Sequence, residues 1–517
     1  MLPTPPFVVP APLPRGTMRP TVPSRRIPHL PGTGSVVLAL LLGACADASV
    51  EEEPPFDLLI TDVAVVDVVA GETLGAHSVA VRDGRITSLW PAEEAPEAVQ
   101  AERVLDGEGR YLVPGLWDAH VHHRGGAELR AQNRALLPLY PLNGVTTVRD
   151  AGGDLTAELL AWRDSIAAGA LLGPRILVSG PKLDGPDPSW EGSLPLADPA
   201  DVSEALDSLQ AVDGGTGVDY VKLYDGSMSP EVFLAAVRQA EERGLTITGH
   251  MPLGVDFLEA VEAGLDGTEH LYYVHKGTAA NRGEVTEAVR AGELGFWDAF
   301  AALLDERDPE REETVFGAMA ERGTVAVPTL HIGAILSEVE RTDHTADPEL
   351  DYIPAGIQET YAGRVASAER ASLESRENNR ALRAEFVAMV PRMHAAGVRL
   401  LAGSDAGAFN SFTYPGFALH DELEALVDAG LPPAEALRSA TMHPADFMGM
   451  GGDHGRIAEG AVADLVLLRG DPLEDITATR RIEVVVLRGQ TVLAGEDLGS
   501  AWTRAGERAR ATGTPGG

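Results

Sequence analysis

A Pro-Gly turn leads into a short apolar run that ends in two histidines, Pro114-Gly115-Leu116-Trp117-Asp118-Ala119-His120-Val121-His122. An apolar run of this length after a turn predicts a buried strand. Side chains two residues apart on a strand point to the same side, so His120 and His122 can hold one metal ion together. A single His-x-His pair is weak evidence, because histidines also serve structural and solvent-exposed roles.

Seven further short apolar runs follow, and helix-like stretches such as Pro230 to Ala240 lie between them. With Leu116 to His122 as the first, the other runs cover residues 145–150, 175–179, 220–224, 246–250, 267–270, 325–330 and 398–405. Alternating strands and helices predict an α/β fold with a parallel sheet, and eight such units predict a (β/α)8 TIM barrel. The connections at 271–324 and 330–398 are long, and we expect lid or substrate-pocket segments there.

Both ends of the chain carry alternating, β-branched segments, for example 57–67 and 482–487. We therefore predict one small, discontinuous β-sandwich domain built from residues 56–114 and 451–495. The barrel then occupies residues 115–450, and residues 496–517 form a tail.

Residues 1–55 are predicted to be a signal peptide, a lipobox and a linker. Arg25 and Arg26 precede the apolar run 35–42, which is shorter than the roughly 20 residues that a membrane-spanning helix requires. Leu42-Gly43-Ala44-Cys45 resembles the bacterial lipoprotein cleavage box, so we predict lipidation of Cys45. The expected location is exported and lipid-anchored to a bacterial membrane, periplasmic or on the cell surface. A plain signal peptide, giving a soluble secreted or periplasmic protein, is the alternative.

The amino-acid composition limits the classes of molecule that the protein is expected to bind. The 517 residues include 41 Lys and Arg against 78 Asp and Glu, a net charge of −37, and such a surface repels phosphate backbones. Nucleic acid is therefore not an expected partner. The single cysteine, Cys45, excludes an intrachain disulfide framework and a multi-cysteine zinc site. The sequence is compatible with a homo-oligomer without deciding it.

Further candidates for metal ligation lie at the ends of later predicted strands. His250 and His270 each close a strand, and Asp405 ends the eighth run. Side chains at the carboxyl ends of barrel strands carry chemistry more often than packing. Asp405 also has a structural interpretation as an N-cap or turn residue beside glycine.

Lys222 lies within the fourth predicted strand, where a barrel interior would desolvate its ammonium. Two interpretations stay open at this point. The lysine pairs with a buried carboxylate, or carbon dioxide converts it into an anionic carbamate that can bridge two metals.

These residues resemble the amidohydrolase superfamily, in particular its binuclear branch with a carboxylated lysine, which contains imidazolonepropionase-like and prolidase-like proteins. The resemblance covers nearly the whole chain after the predicted signal segment. Four stretches carry it: 114–122, 144–150, 436–445 and 455–466.

The resemblance implies a metal-dependent hydrolase with two divalent ions. His120, His122 and Asp405 would hold the first metal, and His250 and His270 the second. Lys222 as a carbamate and a hydroxide would bridge both. Zinc suits these ligands, although manganese, iron or cobalt also fit. Asp405 would be the catalytic residue that takes the hydroxide proton and passes it to the leaving nitrogen.

The expected substrate is a small molecule or dipeptide with an amide bond, such as X-Pro or an acylated amino acid. Five residues just after strands, Tyr224, Tyr272, Tyr273, His275 and His331, contact substrate or belong to loop packing. Arg149 either recognises a substrate carboxylate or pairs with Asp150 or another neighbour.

Three alternatives remain. They are a cyclic-amide hydrolase of the same superfamily, a deaminase with a single metal, and a surface-anchored binding protein whose metals are not catalytic.

Overall fold

The computed structural model describes residues 56–96, 99–215 and 217–511. The predicted signal peptide, the lipobox and Cys45 lie outside these residues. None of the described helices is both long enough and apolar enough to cross a membrane.

The described strands are, in chain order, β1 (Leu58–Asp67), β2 (Glu72–Arg82), β3 (Arg85–Pro91), β4 (Val104–Asp106), β5 (Tyr111–Pro114), β6 (Leu116–His122), β7 (Val145–Asp150), β8 (Arg175–Val178), β9 (Leu183–Asp184), β10 (Leu194–Pro195), β11 (Val221–Leu223), β12 (Ile247–Gly249), β13 (Gly267–Glu269), β14 (Val325–Val327), β15 (Ala406–Gly407), β16 (Leu465–Leu468), β17 (Ile482–Leu487) and β18 (Gln490–Ala494).

The described α-helices are α1 (Gly126–Leu136), α2 (Leu139–Leu142), α3 (Thr156–Ala167), α4 (Asp201–Gln210), α5 (Pro230–Arg243), α6 (Phe257–Ala263), α7 (Tyr272–Thr278), α8 (Arg282–Arg290), α9 (Phe296–Leu303), α10 (Pro309–Arg322), α11 (Leu330–Glu338), α12 (Ala355–Arg370), α13 (Leu373–Ala395), α14 (Ala418–Asp428), α15 (Pro433–Ser439), α16 (Met442–Phe447) and α17 (Leu498–Ala511). Short 3₁₀ helices cover Asp213–Gly215, Pro348–Tyr352 and Ile476–Arg480.

Strands from both ends of the chain form one mixed sheet, in the order β18-β17-β16-β5-β1-β2-β3 with β4 on β1. Strand β5 pairs antiparallel with β16, from Pro114 opposite Leu465 to Tyr111 opposite Leu468. Two layers of a β-sandwich and the domain boundaries at residues 114 and 450 stay predictions. The segment predicted as a tail contains helix α17, in which Ala501 and Ala505 are buried.

The middle of the chain forms two parallel sheets, β10-β9-β11-β12-β13-β14 and β15-β6-β7-β8, so the protein has an α/β fold. Strands β6 and β7 have the predicted bounds at both ends. Helix α5 also begins where predicted, because the Ser229 hydroxyl caps it and Pro230 occupies its first turn.

The run 398–405 is not a regular strand, which corrects the prediction of an eighth strand there. Its backbone still contacts both neighbouring sheets: Leu401 N donates to Ala326 O and Ala119 N donates to Ala402 O, both at 2.9 Å. A side chain on Gly403 would collide with His120, and Asp405 has a φ of 57°. The close approach at Gly403 and the left-handed backbone of Asp405 interrupt the hydrogen-bond pattern of a regular strand at the point where the segment reaches His120.

The two long connections are helical instead of open loops. Residues 271–324 contain helices α7 to α10, and residues 330–398 contain helices α11 to α13. Helix α13 of the second connection contacts α9 of the first, so the two connections pack against each other.

Candidate metal centre and active site

The predicted ligands gather at the carboxyl ends of neighbouring parallel strands. His120 and His122 end β6, His250 follows β12, and His270 follows β13. Asp405 directly precedes β15, which pairs with β6 through Val121 and His122. Strand pairing therefore brings together residues that lie up to 285 positions apart in the chain.

His120, His122 and Asp405 form a compact group. Asp405 Oδ1 lies 3.3 Å from His120 Nε2 and 3.0 Å from His122 Nε2. One potential ligand atom from each of the three residues lies within 4.8 Å of the other two, and all three residues are buried. His270 is close by, with its Nε2 3.9 Å from Asp405 Oδ2.

This group fits a divalent cation. Both ring nitrogens of His120, and Nδ1 of His122, are buried without a hydrogen-bond partner among the described residues. Burial lowers the pKa of both imidazoles, which keeps them neutral, the form that binds metals. Two imidazoles and a carboxylate are ligands that suit zinc and related metals.

Asp405 is held as a carboxylate. Burial by itself would raise its pKa, but the adjacent His120 and His122 lower the pKa well below its usual range. Asn410 Nδ2 donates to Asp405 Oδ1 at 2.8 Å, which orients the side chain. An ionised, oriented carboxylate can both bind a cation and accept a proton.

His250 and His270 are each oriented through Nδ1. His250 Nδ1 lies 3.2 Å from Asp225 Oδ1, and the Tyr273 hydroxyl donates to Asp225 Oδ2 at 2.7 Å. His270 Nδ1 lies 2.6 Å from Thr329 Oγ1. Such outer contacts fix the ring so that Nε2 is left for a ligand. The two ring centres are 5.1 Å apart.

Lys222 is paired with a carboxylate. Its Nζ donates to Glu269 Oε2 at 2.5 Å, while Arg149 Nη2 donates to Glu269 Oε1 at 2.6 Å. The Thr248 hydroxyl donates to the same Oε1 at 2.7 Å. Burial would raise the pKa of Glu269, but Lys222 and Arg149 outweigh it and hold the pKa below its usual range. In this structure, Lys222 is therefore paired with a buried carboxylate, the first of the two interpretations.

The proposed substrate contacts are placed differently from one another. Tyr224 stacks on His250, with ring centres 4.6 Å apart, so it borders a candidate metal ligand. Arg149 is buried and donates to Glu269 and to the Ala119 carbonyl, which matches the alternative of pairing with a neighbour, although that neighbour is not Asp150.

Four candidates lie on the helices that follow the strands, and one of them, Tyr273, donates to Asp225 as described above. Tyr272 contacts His270 at 6.0 Å between ring centres and packs among the aromatic rings of α9 and α13. His275 lies further along α7, beside Phe300 and Phe386. His331 Nε2 lies 3.6 Å from Asp421 Oδ2, on the side of helix α14.

Some residues of the site were not found from sequence. Three residues contact candidate ligands or lie beside them but belong to no motif that the sequence analysis used: Glu269, Asp225 and Thr329. Glu269 did offer one signal, since a charged residue directly before His270 in a buried strand needs a partner.

Buried parallel strands with histidines at their carboxyl ends, and an aspartate beside them, define an α/β protein with a candidate divalent-metal centre. The chain belongs to the amidohydrolase family, whose sequence model matches residues 111–492. The resemblance predicted from the motifs is thereby confirmed, and with it the prediction of an amidohydrolase enzyme.

Three relatives show the range of similarity. Imidazolonepropionase from Chromobacterium violaceum is 26% identical over 422 residues, which cover 78% of this chain and 89% of that protein. The structure of a bottromycin amidohydrolase is similar with a TM-score of 0.65 and 25% identity, covering 90% of this chain and 92% of that one. A Xaa-Pro dipeptidase with bound methionine has a TM-score of 0.59 at 20% identity, covering 84% and 99%, and supports the fold alone.

Proposed function

We propose that this protein hydrolyses a carbon-nitrogen amide bond in X-Pro dipeptides or acylated amino acids. The observation that carries the proposal is the group of His120, His122 and Asp405, whose ligand atoms lie within 4.8 Å of one another. The names of an imidazolonepropionase and a bottromycin amidohydrolase among the relatives support this class of reaction.

The proposed cofactor is a pair of divalent ions, with zinc as the first candidate. His120, His122 and Asp405 would hold one ion, and His250 and His270 the other, with Lys222 as a carbamate between them. The surroundings of Lys222 are compatible with that carbamate. Arg149 already neutralises Glu269, and a carbamate keeps one N–H that can donate to Glu269 Oε2.

We also infer that the two parallel sheets close into one (β/α)8 barrel. Two junctions support closure. Residues 400–402 hydrogen-bond to both β14 and β6, and Asp219 N donates to Val178 O at 2.9 Å between β8 and the residues before β11. A closed barrel would direct every candidate ligand to one face.

The chain's own residues would carry the proton transfer. A bound divalent ion lowers the pKa of a water ligand and polarises a carbonyl. Asp405, ionised and held by Asn410, accepts the water proton and delivers it to the leaving nitrogen. His250 and His270, oriented by Asp225 and Thr329, keep the reacting groups in position.

One observation favours a second candidate, a hydrolase or deaminase with a single metal. Lys222 is paired with Glu269 at 2.5 Å, and His270 lies 3.9 Å from Asp405. A cationic Lys222 would leave His120, His122, His270 and Asp405 around one ion. A binding protein with non-catalytic metals is less compatible with an oriented, ionised Asp405 that can move a proton.

The proposed location is the outside of a bacterial membrane, through lipidation of Cys45. Mass analysis of the mature protein from a bacterial host would detect a lipidated Cys45 as the new N-terminus, whereas an unmodified soluble protein would support the plain signal peptide.

The decisive experiment combines metal analysis with a substrate screen. Purified protein is tested against X-Pro and other dipeptides, acylated amino acids, cyclic amides and aminopurines, and its metal content is measured in parallel. Amide hydrolysis with two metals per chain would support the first proposal. One metal per chain with ammonia release would support the single-metal deaminase, and no turnover by a metal-loaded protein would contradict both.

A further inference from the structure

The chain contains only three lysines, Lys182, Lys222 and Lys276, and all other basic side chains are arginine or histidine. Each lysine is at least 99% buried. Lys222 pairs with Glu269, and Lys276 Nζ donates to the Val255 carbonyl at 3.0 Å. Lys182 Nζ, in contrast, has no hydrogen-bond partner among the described residues. A buried, unpaired ammonium is costly and requires an explanation.

Lys182 lies beside two aromatic rings, one of which stacks on a candidate metal ligand. Its Nζ lies 4.9 Å from the centre of the Trp190 ring and 5.2 Å from the centre of the Tyr224 ring. Tyr224 in turn stacks on His250. The lysine is therefore one aromatic ring away from a candidate metal ligand. Burial lowers its pKa well below the usual range, and the nearby Arg124 lowers it further.

Arg124 provides a second cation beside the same tryptophan. Its guanidinium carbon lies 4.0 Å from the centre of the Trp190 ring. Arg124 Nη2 donates to Asn410 Oδ1 at 3.0 Å, and Asn410 donates to Asp405. Two buried basic side chains thus lie beside the same tryptophan, and among the described residues neither donates a hydrogen bond to a carboxylate. An anionic ligand would supply that charged partner.

The surrounding backbone holds this arrangement in place. The Asp184 carboxylate accepts hydrogen bonds from Gly185 N at 2.7 Å and Ser189 N at 3.0 Å, which fixes the loop that carries Trp190. Space for the lysine comes from Gly152, where a Cβ would lie 2.7 Å from Lys182 Cγ. Asp184 is therefore occupied by the loop and does not neutralise the lysine.

We propose that Lys182 and Arg124, between Trp190 and Tyr224, bind the free carboxylate of the amino acid that leaves when the amide bond is hydrolysed. The proposal rests on the proposed amide hydrolysis and adds a substrate requirement to it. A carboxylate would give the buried ammonium a charged hydrogen-bond partner. The aromatic rings would exclude water and pack against the apolar part of the leaving amino acid.

The test compares two substrates that differ only in this group, Ala-Pro and its C-terminal amide, Ala-prolinamide. We expect the wild type to prefer the acid in kcat/KM by about 30-fold or more. In Lys182→Met the preference should fall below about threefold, with activity on the amide changed by less than that factor. Lys182→Arg, which keeps the charge, should recover part of the preference.

Lys276→Met is the matched control, because it also removes a buried lysine side chain, but one that already donates to the Val255 carbonyl. It should keep the wild-type preference for the acid. Equal kcat/KM on acid and amide in the wild type would overturn the proposal without any variant. The test therefore stays decisive even if Lys182→Met misfolds. A preference that survives in a folded Lys182→Met would overturn it as well.

Binding separates this proposal from the proposed function. N-acetylproline and N-acetylprolinamide are titrated calorimetrically into the metal-loaded protein. Tighter binding of the acid by wild type and Lys276→Met, lost in Lys182→Met, would support the carboxylate subsite even if neither dipeptide is hydrolysed. Equal affinity for the two compounds would overturn the subsite even if dipeptides are hydrolysed.

Discussion

Lys222 Nζ lies 2.5 Å from Glu269 Oε2, and both side chains are fully buried. Glu269 is bonded in the chain to His270, so the ion pair is attached directly to a candidate metal ligand. Arg149 contacts the other oxygen of the same carboxylate. The charge on Lys222 therefore distinguishes the proposed two-metal site from the single-metal alternative.

Glu269→Gln should strongly destabilise the protein. The change leaves Lys222 and Arg149 as buried cations without a carboxylate, and breaking such a pair costs about 3–5 kcal/mol in the free energy of unfolding. Urea denaturation of the metal-free protein would measure it. Glu287→Gln, which breaks an exposed pair with Arg290, should cost less than about 1 kcal/mol. Similar losses in the two variants would contradict a charge-compensating role for Glu269.

Removal and return of metal should distinguish the two states of Lys222. We expect chelation to abolish activity and zinc to restore it more fully when bicarbonate is present, because a carbamate requires carbon dioxide. Lys222→Ala should stay inactive under both conditions. Full recovery without bicarbonate, with one metal per chain, would instead favour the single-metal alternative.

Asp225→Asn should weaken metal binding by about 10–100-fold, because Asp225 orients His250 and outer contacts of this kind contribute to metal affinity. Competition with a chelator of known affinity would measure the change. Asp347→Asn is a matched control, since Asp347 pairs with His344 at 2.8 Å and neither residue is a candidate ligand. An equal effect of both substitutions would point to general destabilisation.

Glu422 should make stability depend on pH. Burial raises the pKa of this carboxyl to about 8, and its Oε2 accepts from the backbone of His331 at 2.7 Å. The folded state therefore holds a proton that the unfolded state releases at a lower pH, near the ordinary value of 4.5. Stability from this group is complete below pH 4.5 and falls as pH rises towards 8.

Glu422→Gln should remove that decline, because glutamine is neutral and its carbonyl can still accept the backbone hydrogen bond. We expect the fall in Tm between pH 5 and pH 8.5 to be smaller in Glu422→Gln than in the wild type. Identical Tm profiles for the two proteins would show that the carboxyl is not neutral in the folded state.

Local patterns predicted most of the strands that carry the site. Strands β6 and β7 have their predicted bounds because each follows a clear turn, Pro114-Gly115 or Asn143-Gly144, and is rich in apolar or β-branched residues. The run 398–405 looked equally regular, but Gly403 approaches His120 and Asp405 adopts a positive φ. The contact with His120 comes from a neighbouring strand, so no local sequence pattern predicts it.

The sequence by itself determined which residue types reach the strand ends, because a period of two and short apolar runs place His120, His122, His250 and His270 without reference to the rest of the chain. Only the tertiary structure decided their electrostatic partners. Lys222 and Glu269 are 47 residues apart, and Arg124 and Asn410 are 286 apart. A buried charge is stable only beside its compensating group, and which groups meet is set by strand pairing and not by spacing along the chain.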